Sequence, residues 1–257
     1  MALFKIKKTE PTIDHAERPK VQTDTRVYAV GDIHGRHDLL MEMLENILSD
    51  AEQIESDRSC EIILLGDYID RGDNSRAVLE TLVQLSEGGD KGFQMLKGNH
   101  EAAMLDFIDT PLKGAAWLEY GAQQTLASYG VALPKQTPNE GDLIRLRDQL
   151  AEAMGPHLDF VRKLSAYYIS GDVIFTHAGF DPCDLDAFSN EIPMLWGHPS
   201  SFDDCPINGK LLVHGHYDAL EPVDKAGRIC VDTGAYYTGC LTAVRLDETA
   251  KFLTVHA

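Results

Sequence analysis

Asp32 and His34 stand two positions apart in Gly31-Asp32-Ile33-His34-Gly35. In an extended turn, residues i and i+2 project to the same side. A carboxylate and an imidazole can then face one borderline divalent metal. Alone the pair says little, because an aspartate after a strand is commonly a helix cap. A second loop, Gly66-Asp67-Tyr68-Ile69-Asp70-Arg71-Gly72, changes the balance. Carboxylates at a strand end are costly to bury unless they are paired or bind metal. Asp67 occupies the same place after its apolar run as Asp32 after its own. The two can therefore share an ion, and one carboxylate can bridge two. A third loop, Lys97-Gly98-Asn99-His100-Glu101, offers the neutral amide oxygen of Asn99. The adjacent His100 must point elsewhere, which suits a proton donor. His177-Ala178-Gly179 and His214-Gly215-His216 add three imidazoles. Both side chains of a His-Gly-His do not readily reach one metal. One is expected as a ligand and the other as lining or support. The set is all oxygen and nitrogen, enough for two hard-to-borderline cations sharing one carboxylate. No cysteine occurs in these loops, which disfavours a structural zinc knuckle.

Each of these loops follows a short apolar run, at residues 27–30, 62–65, 93–96, 173–176 and 211–213. Buried-type strands that end in glycine and polar residues predict a central sheet with a site at its strand ends. Leu40, Leu44, Ile47 and Leu48 predict one helical face. Val78, Leu79, Leu82 and Val83 predict another, opened by Asn74 or Ser75 as a cap. The β-α-β-α-β order implies parallel pairing. Residues 102–165 read as a mostly helical insertion, with Leu143, Leu146, Leu150 and Met154 in one stripe and a loop over 131–141 containing Pro134 and Pro138. Residues 228–255 alternate apolar and polar side chains and predict antiparallel strands or hairpins.

The chain has 257 residues, 44% hydrophobic and 25% charged, which suits one large α/β domain. No apolar stretch approaches the ~18 residues that a membrane span needs. Lys and Arg number 23 against 41 Asp and Glu, for a net charge of -18. That balance argues against a duplex-nucleic-acid or anionic-membrane partner. It leaves room for an anionic substrate, because a bound metal reverses the local field. Five cysteines with no C-x-x-C pair fit free thiols in a reducing, cytoplasmic setting. Residues 1–26 carry six basic and four acidic side chains, and lack the apolar stretch of a secretion signal. Residues 1–25 are read as a flexible tail, and 26–257 as the domain.

GDIHG, GDYIDRG, GNHE, THAG and HGH, in this order and at strand ends, resemble the calcineurin-like metallophosphoesterases, and within them the phosphoprotein phosphatase branch with its bacterial serine/threonine members. The resemblance runs from about Val27 to about Val244 and includes VDTGAYYTGCLTAV. It implies a four-layer αββα sandwich of two mixed sheets flanked by helices, with the active site at the strand C-terminal ends. By resemblance, Asp32 and His34 bind one metal, Asp67 bridges both, and Asn99, His177 and His216 bind the second. His100 is then the general acid oriented by Asp70, and Arg71 clamps phosphate beside Asn99. Manganese is the first expectation for the two ions, with iron or zinc as substitutes. The implied reaction is hydrolysis of phosphoserine and phosphothreonine in proteins, by direct attack of a hydroxide bridging the metals. A dinucleoside polyphosphate hydrolase of diadenosine tetraphosphate type is the enzymatic alternative. A metal-binding interaction module without catalysis is the other, disfavoured by the retention of His100 and Arg71. Three positions depart from the pattern. Tyr217 replaces the usual Thr and narrows the site. Lys97 replaces an Arg before GNHE, a structural difference. His198 stands where bacterial relatives place a second phosphate-binding Arg, so its contribution is only partly charged near neutral pH.

Overall fold

The computed structural model describes residues 19–22, 24–54, 57–88, 92–181, 188–202 and 209–257. The first half runs β1 (Thr25–Val30), α1 (His37–Glu52), β2 (Ser59–Leu64), α2 (Ser75–Glu87), β3 (Phe93–Met95) and α3 (Asn99–Asp109). A 3-10 turn (Gly114–Glu119), α4 (Ala122–Ser128), α5 (Glu140–Met154) and α6 (Pro156–Arg162) follow. The second half is β4 (Tyr167–Ser170), β5 (Val173–Thr176), α7 (Ile192–Trp196), β6 (Leu211–His214), β7 (Val223–Asp224), β8 (Arg228–Cys230), α8 (Ala235–Thr238), β9 (Cys240–Leu246) and β10 (Ala250–His256).

The strands form two mixed five-stranded sheets, in the orders β10-β9-β1-β2-β3 and β4-β5-β6-β8-β7. β1, β2 and β3 pair in parallel, as the helical connections between them require. β9 and β10 form the expected antiparallel hairpin. β8 pairs antiparallel with β7 and in parallel with β6.

Period-two alternation decides what each face meets. Val27 and Ala29 of β1, with Ile63 and Leu65, pack against Phe175, Val213 and Ile229 of the other sheet. Tyr28, Val30, Ile62 and Leu64 face the helices. Beyond the second sheet, Ile174 and Leu212 pack on Met194 and Leu195 of α7, a thinner outer layer. The result is the helix–sheet–sheet–helix sandwich. No helix is long and apolar enough to cross a membrane among the described residues.

Register matters most for the site. Val30 lies opposite Leu64, and Leu64 opposite Met95. Phe175 lies opposite Val213, and His214 opposite Cys230. The loops that follow these strands therefore leave the sheets at one level, along one edge.

Local expectations are refined in four places. Leu48 is 56% exposed rather than part of the buried face of α1. It lies ~80° around the helix from Leu40, at the margin of the stripe that Leu40, Leu44 and Ile47 occupy. The loop after α4 ends at Asn139, so Gly141 is helical. Asn139 Oδ1 accepts the Asp142 N–H at 3.1 Å, and the Asp142 carboxylate accepts the Asn139 N–H at 3.0 Å, a capping box. Asn74 is the N-cap residue of α2 without a side-chain cap bond. Val21 is buried, the Asp172 N–H donates to Lys20 O at 2.8 Å, and the Gln22 N–H donates to Ser170 Oγ at 3.3 Å. Residues 19–22 thus lie along the second sheet, ahead of the expected boundary at 26. Residues 1–18 of the tail expected over 1–25 lie outside the described residues, as do Cys183 and Cys205. Cys60, Cys230 and Cys240 are free thiols.

Candidate metal centre

Five non-glycine residues have positive φ among the described residues: His34 (44°), Asp67 (52°), Asp70 (71°), Arg71 (68°) and His216 (64°). Each such position costs on the order of 1–3 kcal/mol and persists only where its surroundings hold it. All five belong to the loops singled out by their chemistry. The loops hold one another. Asp67 O accepts the N–H groups of Ile33 at 3.1 Å and His34 at 2.8 Å, and Tyr68 O accepts that of Gly35 at 2.9 Å. Glu101, fully buried, accepts the N–H groups of Asp67 (2.9 Å), Tyr68 (2.8 Å), Ile69 (3.3 Å) and Gly98 (2.9 Å). Two glycines permit the close approach: a Cβ at Gly98 would overlap Asp67 Oδ1, and one at Gly215 would overlap Asp32 Oδ1.

Two groups of ligand-type atoms converge within 4.8 Å: His34, Asp67 and His100, and Asp32, Asp67 and His177. All five residues are buried, and Asp67 is common to both groups. Asp32 groups with His177 rather than with His34. Asn99 and His216 adjoin the second group. Asn99 Oδ1 is 2.8 Å from His177 Nε2, and His216 Nδ1 is 3.2 Å from each of those atoms. The His216 N–H also reaches both oxygens of Asp32, at 3.2 and 3.3 Å. His214 is turned away: its Nδ1 lies 2.9 Å from Gly215 O, and its Nε2 meets no polar partner.

The chemistry of these donors fits cations. His34 Nδ1 donates to Ile69 O at 2.8 Å and His177 Nδ1 to Leu65 O at 3.1 Å, since a carbonyl can only accept. Both Nε2 lone pairs are thereby directed into the site, the arrangement that orients metal-binding histidines. Burial pushes His34 down to about 3, and His216 to about 4 with His177 adding to the effect. Burial lowers His177 as well. These shifts favour the neutral imidazole, the form that ligation demands. Asp32 is pushed well above the usual carboxylate range by burial and by the charges of Asp232 and Asp67. Asp232 is raised to about 7 by burial and by Asp218 and Asp67. Asp67 goes the other way: burial alone would raise it, but His177, His100 and His34 hold it low. Three buried carboxylates here have the Arg71 guanidinium as their neighbouring cation, and divalent ions would supply further positive charge.

Next to the cluster, His100 Nδ1 donates to Asp70 Oδ2 at 2.7 Å, leaving Nε2 toward the site. Burial would lower His100, but the Asp67 and Asp70 carboxylates raise it overall. Arg71 Nη1 lies 2.9 Å from His34 Nε2, and its guanidinium carbon sits 5.0 Å from the centre of the Tyr236 ring. His198 follows α7, partly exposed, with Nε2 3.8 Å from Asp181 Oδ2. Lys97 pairs with Glu191 at 3.0 Å, away from the cluster. The Tyr217 ring packs on Phe202 and His216, with centroids 4.6 and 4.8 Å apart.

Four participants were not assigned roles from sequence. Asp232 follows β8 by two residues, as Asp32 follows β1, and that shared grammar could have found it. Glu101 sits three residues after Gly98, the spacing of a capping box. Trp117 and Thr125 reach Asp70 across 47 and 55 residues, with no local signal.

A family model described as calcineurin-like phosphoesterase matches residues 25–235. Serine/threonine-protein phosphatase 2 of Escherichia coli is 39% identical over 95 residues, which cover 37% of this chain and 38% of that protein. Its namesake in Salmonella typhimurium is 27% identical over 231 residues, 86% of this chain and 92% of that one. An asymmetrical bis(5'-nucleosyl)-tetraphosphatase of Halalkalibacterium halodurans is 22% identical, over 85% of this chain and 89% of that one. The solved structure of a protein serine/threonine phosphatase from Saccharomyces cerevisiae superposes with a TM-score of 0.57 at 13% identity, covering 95% of this chain and 85% of that one. That last likeness is one of fold.

Proposed function

This chain belongs to the calcineurin-like phosphoesterase family, and from that premise we propose that it is a metal-dependent phosphomonoesterase acting on phosphoserine and phosphothreonine in proteins. The observation that carries the reading is the sharing of Asp67 by two buried His/Asp groups, with a His100–Asp70 pair and a guanidinium alongside.

By resemblance, Asp32, His34 and Asp67 would hold one ion and Asp67, Asn99, His177 and His216 the other; the observed grouping places Asp32 with His177, so Asp32 would have to reach toward His34 in the loaded site. Oxygen and imidazole ligands suit manganese first, with iron or zinc able to replace it. When bound there, two divalent ions would supply Lewis acidity to the phosphoryl oxygens and a water acidic enough to ionise near neutral pH. Arg71 presents its planar fork to the phosphoryl group, beside the Asn99 amide. His198 is the proposed second contact, in the place of an arginine. His100 gives the Nε2 proton to the departing oxygen, and Asp70 fixes the ring that carries it. The reducing, cytoplasmic setting is part of the same proposal.

The bis(5'-nucleosyl)-tetraphosphatase name among the relatives supports a second reading, hydrolysis of a dinucleoside polyphosphate. Manganese-supplemented turnover of a phosphoserine peptide and of a dinucleoside tetraphosphate separates the two. Faster peptide turnover, abolished by Asp67→Asn and His100→Asn, is expected. Much faster nucleotide turnover would replace the first reading with the second.

A further inference from the structure

The helical insertion reaches the reaction centre most closely at Asp70. Asp70 is fully buried, and both its carboxylate oxygens are engaged. Oδ2 accepts from His100 Nδ1 and from Trp117 Nε1, each at 2.7 Å. Oδ1 accepts the Thr125 hydroxyl at 2.5 Å, and the oxygen of that hydroxyl takes the Asp70 N–H at 2.8 Å. Trp117 lies in the 3-10 turn and Thr125 in α4, both between α3 and β4 and outside the five loops that carry the ligand-type residues. The Arg71 N–H donates to Gly121 O at 3.0 Å, so the same segment also holds the residue next to Asp70.

We infer that Trp117 and Thr125 are positioning residues for the proton donor: the 114–128 segment is a clamp on the Asp70–His100 pair. The inference rests on the reading of His100 as general acid. A carboxyl group without access to water needs hydrogen bonds to both oxygens, and short bonds of this kind are directional. Two of the three side-chain donors to Asp70 come from this segment. Together they fix the plane of the carboxylate, and with it the oxygen that His100 Nδ1–H must meet. Without them the carboxylate can rotate about its last bond, and the imidazole loses its fixed orientation. The proton transfer itself is simple. As the bond from phosphorus to the leaving oxygen breaks, its electron pair stays on that oxygen. The oxygen takes the proton from His100 Nε2, and the neutral imidazole later regains one from water.

A group that acts through a general acid has a signature that general damage lacks. p-Nitrophenolate is weakly basic and leaves with little help from a proton, whereas a serine alkoxide needs it. Wild type, Thr125→Val, Thr125→Ser and Trp117→Phe are to be compared on p-nitrophenyl phosphate and on a phosphoserine peptide. Valine keeps the shape of threonine and removes the hydroxyl that Asp70 uses, and the rescue by Thr125→Ser separates that loss from general damage. Thr125→Val should lose about 100-fold in kcat on the peptide, the scale of general acid catalysis. On the aryl ester it should lose less than about threefold on that same basis. Thr125→Ser should restore the peptide rate. In zinc-loaded full-length protein, which is diamagnetic, the downfield Nδ1–H proton resonance of His100 should shift in Thr125→Val and Trp117→Phe and return in Thr125→Ser. Equal losses on both esters, or an unmoved resonance in Thr125→Val, would overturn the inference. A wild type inactive on both esters would remove the phosphoesterase reading, and the resonance alone would then judge the clamp.

Discussion

Asn99 Oδ1 and His177 Nε2 face each other at 2.8 Å, while His177 Nδ1 gives its proton to Leu65 O. Burial lowers that imidazole's affinity for a second proton. Two lone-pair atoms are thus directed at each other inside the protein, with Asp67 Oδ2 3.5 Å from the same nitrogen. A cation lying among the three atoms would meet all of their lone pairs at once.

Metal should therefore stabilise the fold as well as activate it. At an ion concentration 100 times the Kd the gain is ~2.7 kcal/mol. For a domain of this size that raises Tm by about 5–10 °C. Calorimetry of chelator-treated protein before and after manganese checks this. Asp67→Asn should remove most of the increase, because Asp67 serves both groups.

Gly215→Ala tests the approach of the His216 loop to Asp32. A Cβ there would overlap Asp32 Oδ1, so either the loop or the carboxylate must move. The stability cost should be about 1–3 kcal/mol, as for other overpacked sites. Bound metal per chain, measured by elemental analysis, should fall at the same time. Undiminished uptake would show that Asp32 does not need its observed position.

Arg71→Lys keeps the charge but loses the planar fork and the stacking on Tyr236. kcat/KM on a phosphoester should fall on the order of 10- to 100-fold, matching about 1.5–3 kcal/mol for a charge-assisted hydrogen bond. Steady-state kinetics with saturating manganese gives the number. A change below twofold would take Arg71 out of phosphate binding.

Away from the site, Asp50 ties α1 to the terminal hairpin. It accepts from Lys251 at 2.7 Å, Tyr28 at 2.9 Å and Arg245 at 3.0 Å. Burial would raise this carboxyl, but the bonds from Lys251, Arg245 and Tyr28 outweigh it and hold it at about 2. The unfolded chain titrates near ~3.9. Because the folded value is depressed, the stabilisation is complete above about pH 4 and is lost as pH falls through about 2. Asp50→Asn should cost about 1–2 kcal/mol at pH 7. Urea midpoints of the two proteins should converge as pH is lowered from 7 toward 3. A gap that stays constant with pH would show that the carboxylate charge is not the source.

Local residue types and short periods carried much of this protein in the sequence. Asp32, Asp67, Asn99, His100 and His177 could be picked out because each follows an apolar run that reads as a strand, and the parallel order followed from the helices between those strands. The tertiary structure decided what depends on distance along the chain. The resemblance already favoured His216 over His214, and the tertiary structure sets the His216 N–H on Asp32, 184 residues away. It enlisted Glu101 and Asp232, and set Trp117 and Thr125 on Asp70. It left Leu48 in solvent although its helical position borders the buried stripe. Hydrophobic period and turn chemistry act over a few residues, so they mark where a loop will be. Which side chains from separate loops share one buried volume is decided by strand register and sheet packing, and those form only when the whole chain has folded.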